Sequence, residues 1–176
     1  MKATRGILLL SVLLVAACDR SQNGAAAYSE EGISVFFSPQ TNCTELIIEQ
    51  IRQARTKVLV QAYSFKSEPI LDALAEAVRR GVAVRVIIDG DKLDRKVGNH
   101  LVKRGIELYI DSQHDKAHSK VMLIDGKTVI TGSFNFTETG EEGKADNVLV
   151  ITGRPKLFEA YEKSFQEHMG HSRRVE

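Results

Sequence analysis

The stretch HSKVMLIDGKTVITG, residues 118–132, decides how this chain is organised. Its apolar centre, Val121–Ile124, has the composition of a buried β-strand, and a second apolar run follows at 128–131. Asp125 and Gly126 stand between the two runs, and an Asp-Gly pair flanked by apolar residues is a strong signal for a β-hairpin. The stretch therefore predicts two adjacent antiparallel strands.

Polar side chains collect at one end of this predicted hairpin. Because side chains alternate between the faces of a strand, His118 and Lys120 point to the same side. An ammonium group and a titratable ring at the mouth of an apolar strand are costly unless an anion lies there. In GSFNF, at 132–136, Ser133 and Asn135 share one face and two phenylalanines take the other. An imidazole, an ammonium, a hydroxyl and a carboxamide at one rim favour phosphate binding.

The rest of the chain alternates between strand and helix patterns. Such a β-α-β-α-β-α-β series predicts a largely parallel sheet covered by helices. With the hairpin added, the fold class is α/β, a mixed, largely parallel central sheet flanked by helices. Strand patterns lie at 33–37, 58–65, 82–88, 106–110 and 147–152, and helix patterns lie at 45–55, from Ser67 to Gly81, up to Arg104, and at 155–168.

The N-terminal segment has the features of an export signal. Two basic residues precede the apolar run GILLLSVLLV at 6–15, which small residues follow and which is too short to span a membrane comfortably. We therefore predict a signal peptide at 1–17. Residues 18–32 are predicted to be a flexible tether, which leaves one domain at 33–176.

The end of that signal, VAAC at 15–18, also resembles a bacterial lipobox, in which the cysteine becomes the lipidated first residue of the mature chain. A lipid on Cys18 would anchor the exported protein to a membrane, facing the periplasm. An ordinary signal peptide with an incidental Cys18 would leave it in the periplasm, and both interpretations stay open. Since only Cys43 would remain unmodified, no intrachain disulfide is predicted.

The overall charge does not by itself indicate a nucleic-acid-binding protein. The chain has 24 Lys and Arg against 23 Asp and Glu, a formal net charge of +1. Any hold on a polyanion must therefore come from a local patch. The segment 79–104 is rich in Lys and Arg, and it is either such a patch or a solvated helix face.

The spacing HxKxxxxD followed by GSxN resembles the HKD motif of the phospholipase D superfamily, and most of all its small bacterial endonucleases with one motif copy. The likeness runs from about residue 33 to the C-terminal helix. It implies the phospholipase D/nuclease fold and a reaction without metal or cofactor. In that reaction one histidine attacks the phosphodiester to form a covalent phosphohistidine. A second histidine protonates the leaving oxygen, and water then cleaves the intermediate.

The resemblance assigns roles to the motif residues of this chain. His118 is the nucleophile or general acid, Lys120 and Asn135 clamp phosphate oxygens, and Ser133 lines the pocket. Asp125 is the aspartate of the motif and is included among the catalytic candidates. It looks more structural than chemical, and a simple turn role before the following glycine is equally compatible.

The predicted partner of the histidine ring departs from the family pattern. Related nucleases tend to carry a glutamate, just before an Asn-apolar strand, that holds the histidine Nδ1. This chain has Asp146 there, one methylene shorter, and we predict that it orients His118. Glu141 or Glu142 are the alternatives.

A single copy of the motif implies a homodimer. The other histidines lack a lysine two residues on, so the second catalytic histidine must come from a second subunit, in an isologous arrangement. Two of those histidines, His168 and His171, have no carboxylate or cysteine at metal-ligand spacing, so no metal site is predicted.

Three functions remain open at this point. The first is an exported endonuclease hydrolysing DNA or RNA. The second is a phospholipase D acting on phospholipid head groups, which a lipid anchor would favour but the polar, acidic segment 134–146 does not. The third is a non-catalytic nucleic-acid-binding scaffold, against which the intact His118, Lys120, Ser133 and Asn135 argue.

Overall fold

The structure, a computed structural model, describes residues 26–139 and 143–176. The predicted signal peptide at 1–17 and Cys18 lie outside these ranges. Within them, no helix is both long and apolar enough to cross a membrane. The strands are β1 (Tyr28–Glu30), β2 (Ile33–Phe37), β3 (Lys57–Ala62), β4 (Ala83–Asp89), β5 (Glu107–Asp111), β6 (Lys120–Ile124), β7 (Thr128–Gly132), β8 (Asn147–Thr152) and β9 (Arg173–Arg174). The main helices are α1 (Cys43–Gln53), α2 (Glu68–Arg79), α3 (Arg95–Lys103) and α4 (Pro155–His171).

The strands form one mixed sheet in the order β1-β2-β8-β7-β6-β3-β4-β5-β9. This confirms the predicted α/β class with a mixed sheet and helices on its faces. Among the pairs formed by these strands, only β3–β4 and β4–β5 are parallel and the other six are antiparallel, so the sheet is mixed but not largely parallel as the sequence predicted. β2 does not extend the parallel series, because the β6–β7–β8 meander occupies the place beside β3 and leaves β2 to pair with β8.

Alternating side chains of the strands feed two apolar layers. On one face, residues such as Val58, Val60 and Val86 pack with α1, α2 and α3 into the larger core. On the other face, Leu59 and Leu123 pack with α4 into a smaller core. The central strands β3 and β6 are covered on both faces, which is why their sequences read as nearly continuous apolar runs.

The predicted ends of α2 are confirmed. Ser67 caps the helix by accepting a hydrogen bond from the Ile70 N–H at 3.4 Å, and Pro69 lies in the first turn. Gly81 follows the last turn with φ of 88°, a left-handed conformation that glycine adopts without strain.

The predicted tether at 18–32 is wrong at its C-terminal end. Tyr28–Glu30 form β1, which pairs antiparallel with β2 through a turn at Gly32. That glycine has φ of 77°, and a Cβ on it would lie 2.5 Å from the Thr152 carbonyl oxygen. The small polar composition gave no sign of this strand, because three residues are too few for a periodic pattern.

Asp125 lies at the opposite end of β6 from His118, so its position indicates a structural role in place of the predicted catalytic one. With φ of 54° it starts the hairpin turn. Its carboxylate accepts hydrogen bonds from the backbone N–H groups of Arg55, Thr56 and Lys57 at 2.8, 2.8 and 3.1 Å. The residue therefore fastens the start of β3 to the end of β6, which is a structural role.

Asp125→Ala is expected to destabilise the fold by about 2–3 kcal/mol, because three backbone donors lose a charged acceptor. Partial burial alone would raise the pKa of Asp125, but bonds from Thr56, Lys57 and Arg55 outweigh it and hold the pKa below its usual value. The stabilisation is therefore present at neutral pH and is lost as the pH falls from about 4 through the lower folded-state pKa. Urea unfolding at several pH values measures this, with the exposed turn residue Lys127→Ala as control. An unchanged difference between wild type and Asp125→Ala down to pH 2 would contradict it.

Candidate active site

His118 and Lys120 lie side by side at the start of β6, as predicted from their spacing. His118 is an exposed residue in the extended segment before the strand, and Lys120 is its first residue. The Lys120 ammonium nitrogen lies 3.0 Å from His118 Nδ1 and donates to the His118 carbonyl oxygen at 2.8 Å. An ammonium group can only donate, so this contact is a hydrogen bond in the tautomer whose Nδ1 is unprotonated.

Lys120 is a buried cation. Its side chain belongs to a central strand, and the residue is only 6% exposed. Burial lowers the pKa of Lys120 below its usual value, and the negative charge of Asp146 partly opposes that shift. A cation held in this way gains strongly from the arrival of an anion.

Tyr63 completes this group through its contacts with His118 and Lys120. It follows β3 directly, and its N–H donates to the Ser119 carbonyl oxygen at 3.0 Å. Its ring centroid lies 4.3 Å from that of His118, and the ammonium groups of Lys120 and Lys92 lie 4.9 and 5.4 Å from it. The antiparallel register of β3 and β6 brings Tyr63 beside His118. The residue pattern of one strand does not reveal how it pairs with another, so the sequence did not predict this contact.

The GSFNF segment forms the neighbouring rim, and its predicted alternation is confirmed. Phe134 and Phe136 are 1% and 2% exposed and anchor the segment in the core, while Ser133 and Asn135 reach the rim. The Phe136 carbonyl oxygen accepts the N–H groups that follow β3, so the segment is fixed against that strand. The buried Asn135 Oδ1 finds no hydrogen-bond partner among the described residues.

Asp146 contacts Ser133 and not His118 in the protomer. Ser133 Oγ donates to Asp146 Oδ1 at 2.6 Å and accepts the Asn147 N–H at 3.1 Å. Among the described residues of one protomer, no hydrogen bond joins Asp146 to His118, so these contacts do not support the prediction that Asp146 orients the ring. The side chain of Asp146 is short, and the donor that its carboxylate contacts is the Ser133 hydroxyl, which lies across the β7–β8 pair. Glu141 and Glu142 lie outside the described residues.

Gly132 sets how closely the two backbone segments that carry Ser133 and Asp146 approach each other. A Cβ on Gly132 would lie 2.1 Å from the Asn147 carbonyl oxygen, which is backbone and cannot rotate away. Gly132→Ala is therefore expected to cost about 2–3 kcal/mol of folding free energy and to lower activity by displacing Ser133. Thermal unfolding and steady-state rates test this, with Gly143→Ala as the matched control, since no atom of the described part of the chain lies within 4 Å of a Cβ there. Equal effects of the two substitutions would contradict it.

An open cleft of about 490 Å³ adjoins the group. Tyr63 and Asn135 line it on the side of His118. Lys66, Lys92 and Lys144 also line it, with Glu138 as the acidic side chain that the described residues contribute. From the basic segment 79–104, only Lys92 contributes to this lining, and several of the others pair with acidic residues elsewhere.

A second titratable cluster lies at the end of β5, where the sequence predicted no metal site. His168 and His171 do have a carboxylate partner, because the fold brings Asp111 to them from a distant part of the chain. His114 joins the same carboxylate. Burial alone would raise the pKa of Asp111, but bonds from His168 and His171 outweigh it and hold the pKa well below its usual value.

Comparison with known proteins gives consistent matches over this domain. The family described as "Cardiolipin synthase, PLD-like domain" matches residues 47–169. Phospholipase D of Rickettsia prowazekii is 40% identical over 135 residues, which are 76% of this chain and 65% of the relative. Mitochondrial cardiolipin hydrolase of Danio rerio is 32% identical over 130 residues, covering 72% of this chain and 56% of the relative. The chain thus spans about two thirds or less of the length of these relatives.

The solved structures agree with the sequence matches. Nuc from Salmonella typhimurium, described as a phospholipase D family member, superposes with a TM-score of 0.77 at 34% identity, covering 81% of this chain and 97% of Nuc. The family match covers both His118 with Lys120 and the rim segment that faces them. The resemblance inferred from the HKD spacing is confirmed, and this chain belongs to the phospholipase D superfamily, whose PLD-like domain it carries.

Proposed function

We propose that the protein is a phosphodiesterase whose substrate is a nucleic acid. The observation that carries the proposal is the pairing of the exposed His118 ring with the buried Lys120 ammonium, at 3.0 Å, beside an open cleft. A phosphodiester bound there would compensate the charge of Lys120 and accept its hydrogen bonds. Its arrival would also draw the ammonium away from the imidazole.

The reaction we propose uses two histidines. A ring nitrogen of His118 attacks phosphorus, a P–N bond forms, and the P–O bond to the leaving alcohol breaks. The imidazolium of a second His118 gives its proton to the leaving oxygen and then takes one from water. That water attacks phosphorus and breaks the P–N bond, so both histidines return to their starting states and no redox partner is needed.

The second His118 comes from a second copy of the chain in this proposal. One protomer holds one motif, and its His118 ring is exposed rather than enclosed. The buried Asn135 Oδ1 also needs a donor from outside the contacts of the described residues. A two-fold homodimer would supply a ring and a donor to each half of one shared site.

Nucleic acid is favoured over phospholipid by the lining of the cleft. Lys66, Lys92 and Lys144 offer successive phosphate contacts to a polymer, and Tyr63 offers an aromatic face for a base. The phospholipase D names of the Rickettsia relatives support phospholipid as the second candidate. The predicted signal peptide leads us to propose that the cleavage takes place outside the cytoplasm, free in the periplasm or at a membrane through Cys18.

The substrate is tested by incubating the purified protein with plasmid DNA, single-stranded DNA, RNA, and vesicles of phosphatidylcholine and cardiolipin. Cleavage of a nucleic acid with intact lipids supports the proposal, whereas head-group release with intact nucleic acids replaces it with the second candidate. The reaction is stopped with alkali during turnover, because phosphohistidine is stable in alkali but hydrolyses in acid. We expect the phosphohistidine as a covalent label on the wild-type chain and no label on His118→Asn.

The dimeric site is tested by refolding wild-type and His118→Ala chains together in known ratios. If each site needs both histidines, activity falls as the square of the wild-type fraction, because mixed dimers are inactive. A linear fall would show that one chain suffices and would overturn the shared site. Sedimentation of the same mixtures confirms that the subunits have exchanged.

A further inference from the structure

Three imidazole nitrogens converge on one buried carboxylate at the end of β5. His168 Nδ1 lies 2.8 Å, His114 Nδ1 3.1 Å and His171 Nε2 3.3 Å from Asp111 Oδ2. The Asp111 side chain is 0% exposed. One ligand atom from each of the four residues lies within 4.8 Å of the others. The phosphodiesterase chemistry described above uses none of these residues.

The spacing of these atoms is close to that of a tetrahedral metal site. Zinc bound to nitrogen and oxygen at about 2.0–2.1 Å separates neighbouring ligand atoms by about 3.4 Å. The three nitrogen–oxygen separations around Asp111 already lie between 2.8 and 3.3 Å. Only the separations between imidazole nitrogens, at up to 4.8 Å, must shorten, by at most about 1.4 Å. The histidine side chains are 23–42% exposed and have room to rotate.

The donor set favours zinc over harder cations. Three imidazoles and one carboxylate suit Zn²⁺ and its first-row neighbours, whereas Mg²⁺ and Ca²⁺ prefer sites made only of oxygen. The three rings also crowd one another, with centroids 4.9, 5.1 and 5.2 Å apart. Protonation of all three would place like charges together, while a metal ion would bind them in their neutral form.

We propose that Asp111, His114, His168 and His171 bind one Zn²⁺ as a structural site. Four protein ligands fill a tetrahedron and leave no open position, which is the arrangement of structural rather than catalytic zinc. The ion would join the last turn of α4 to the end of β5 and to the segment that leads into His118. Asp89 holds the same segment by accepting the Ala117 N–H at 2.7 Å. The proposal does not depend on the substrate of the active site.

The test is a zinc titration of the full-length protein, purified without a polyhistidine tag and stripped of metal, against a chromophoric chelator. We expect one Zn²⁺ per chain and a rise of several degrees in Tm, with no effect of Mg²⁺. Co²⁺ is expected to give the intense visible absorption of tetrahedral coordination. His171→Gln and the exposed-loop variant His114→Asn should each weaken zinc binding at least about tenfold, by analogy with losses at metal-site residues. His100→Gln, on α3, is the matched histidine control.

The outcomes separate a metal site from an ordinary hydrogen-bonded cluster. Saturable binding of one equivalent, lost in His171→Gln and His114→Asn but kept in His100→Gln, supports the proposal. Failure of the wild type to bind zinc, or equal losses in all three variants, would overturn it. Circular dichroism of the metal-free variants checks that they are folded. If His171→Gln disturbs α4, His114→Asn still tests the site, because His114 lies outside that helix.

Discussion

Replacing His118 with alanine is expected to lower phosphodiester cleavage by at least about 10⁴-fold, because the substitution removes both the nucleophile and the general acid from the proposed dimeric site. The loss should appear in kcat, since the exposed ring contributes little to the binding of a long polymer. The free energy of unfolding should stay close to that of the wild type, because His118 lies outside the apolar core. Single-turnover rates and urea unfolding of the same preparation measure the two quantities.

The matched control for this variant is His100→Gln, which alters a half-exposed histidine on α3 near Glu68. Its rate is expected to equal that of the wild type. Residual activity of His118→Ala above a hundredth of the wild-type rate, in protein free of contaminating nuclease, would mean that another group carries the chemistry.

Lys120→Met is expected to separate activity from stability. The methionine keeps the length and the apolar stem of lysine but removes the cation, so cleavage should fall by about 10²–10³-fold through weaker phosphate stabilisation. Stability should stay within about 1 kcal/mol of the wild type or rise, because an apolar group replaces a buried charge that forms no salt bridge among the described residues. A variant that loses both activity and stability to the same degree would contradict this account.

The pH dependence of Lys120→Met follows from the lowered pKa of Lys120, which burial causes. Below the folded-state pKa the wild type bears the full cost of a buried charge, and above the usual lysine pKa of about 10.4 it bears none. The stability gain of the variant is therefore largest at neutral pH. It disappears as the pH rises from the folded-state pKa of Lys120 to the usual lysine pKa. Wild-type activity should fall on the alkaline side earlier than an ordinary lysine would require, and Lys120→Arg should move that limb upward.

The parts of the site that the sequence revealed are those in which the residues lie two positions apart in one segment, at the start of β6 or just after β7. His118 with Lys120, and Ser133 with Asn135, follow the two-residue period of a strand, and the hairpin turn between them is readable from Asp125 and its glycine. Those residues come from one stretch of chain. The family motif could therefore be recognised without knowing the topology.

The parts that the sequence did not reveal depend on contacts between distant segments. Tyr63 reaches His118 only because β3 and β6 pair in a specific register, and Asp111 meets His168 only because α4 returns to β5. The contact between Asp146 and Ser133 depends on the local approach of β7 and β8. Periodicity along one segment contains no information on such pairings.

The position of β6 also affects how the chain avoids aggregation while it folds. β3 pairs with β4 on one side, but its other edge is covered only by β6, whose Val121 lies opposite Gln61 although the two are far apart in sequence. Until β6 docks, the apolar run VLVQA presents an unpaired edge that can capture the same edge of another chain. The strand that carries Lys120 thus also protects the nascent sheet from self-association. A substitution that slows its docking will therefore reduce the yield of soluble protein before it reduces the activity of the folded molecules.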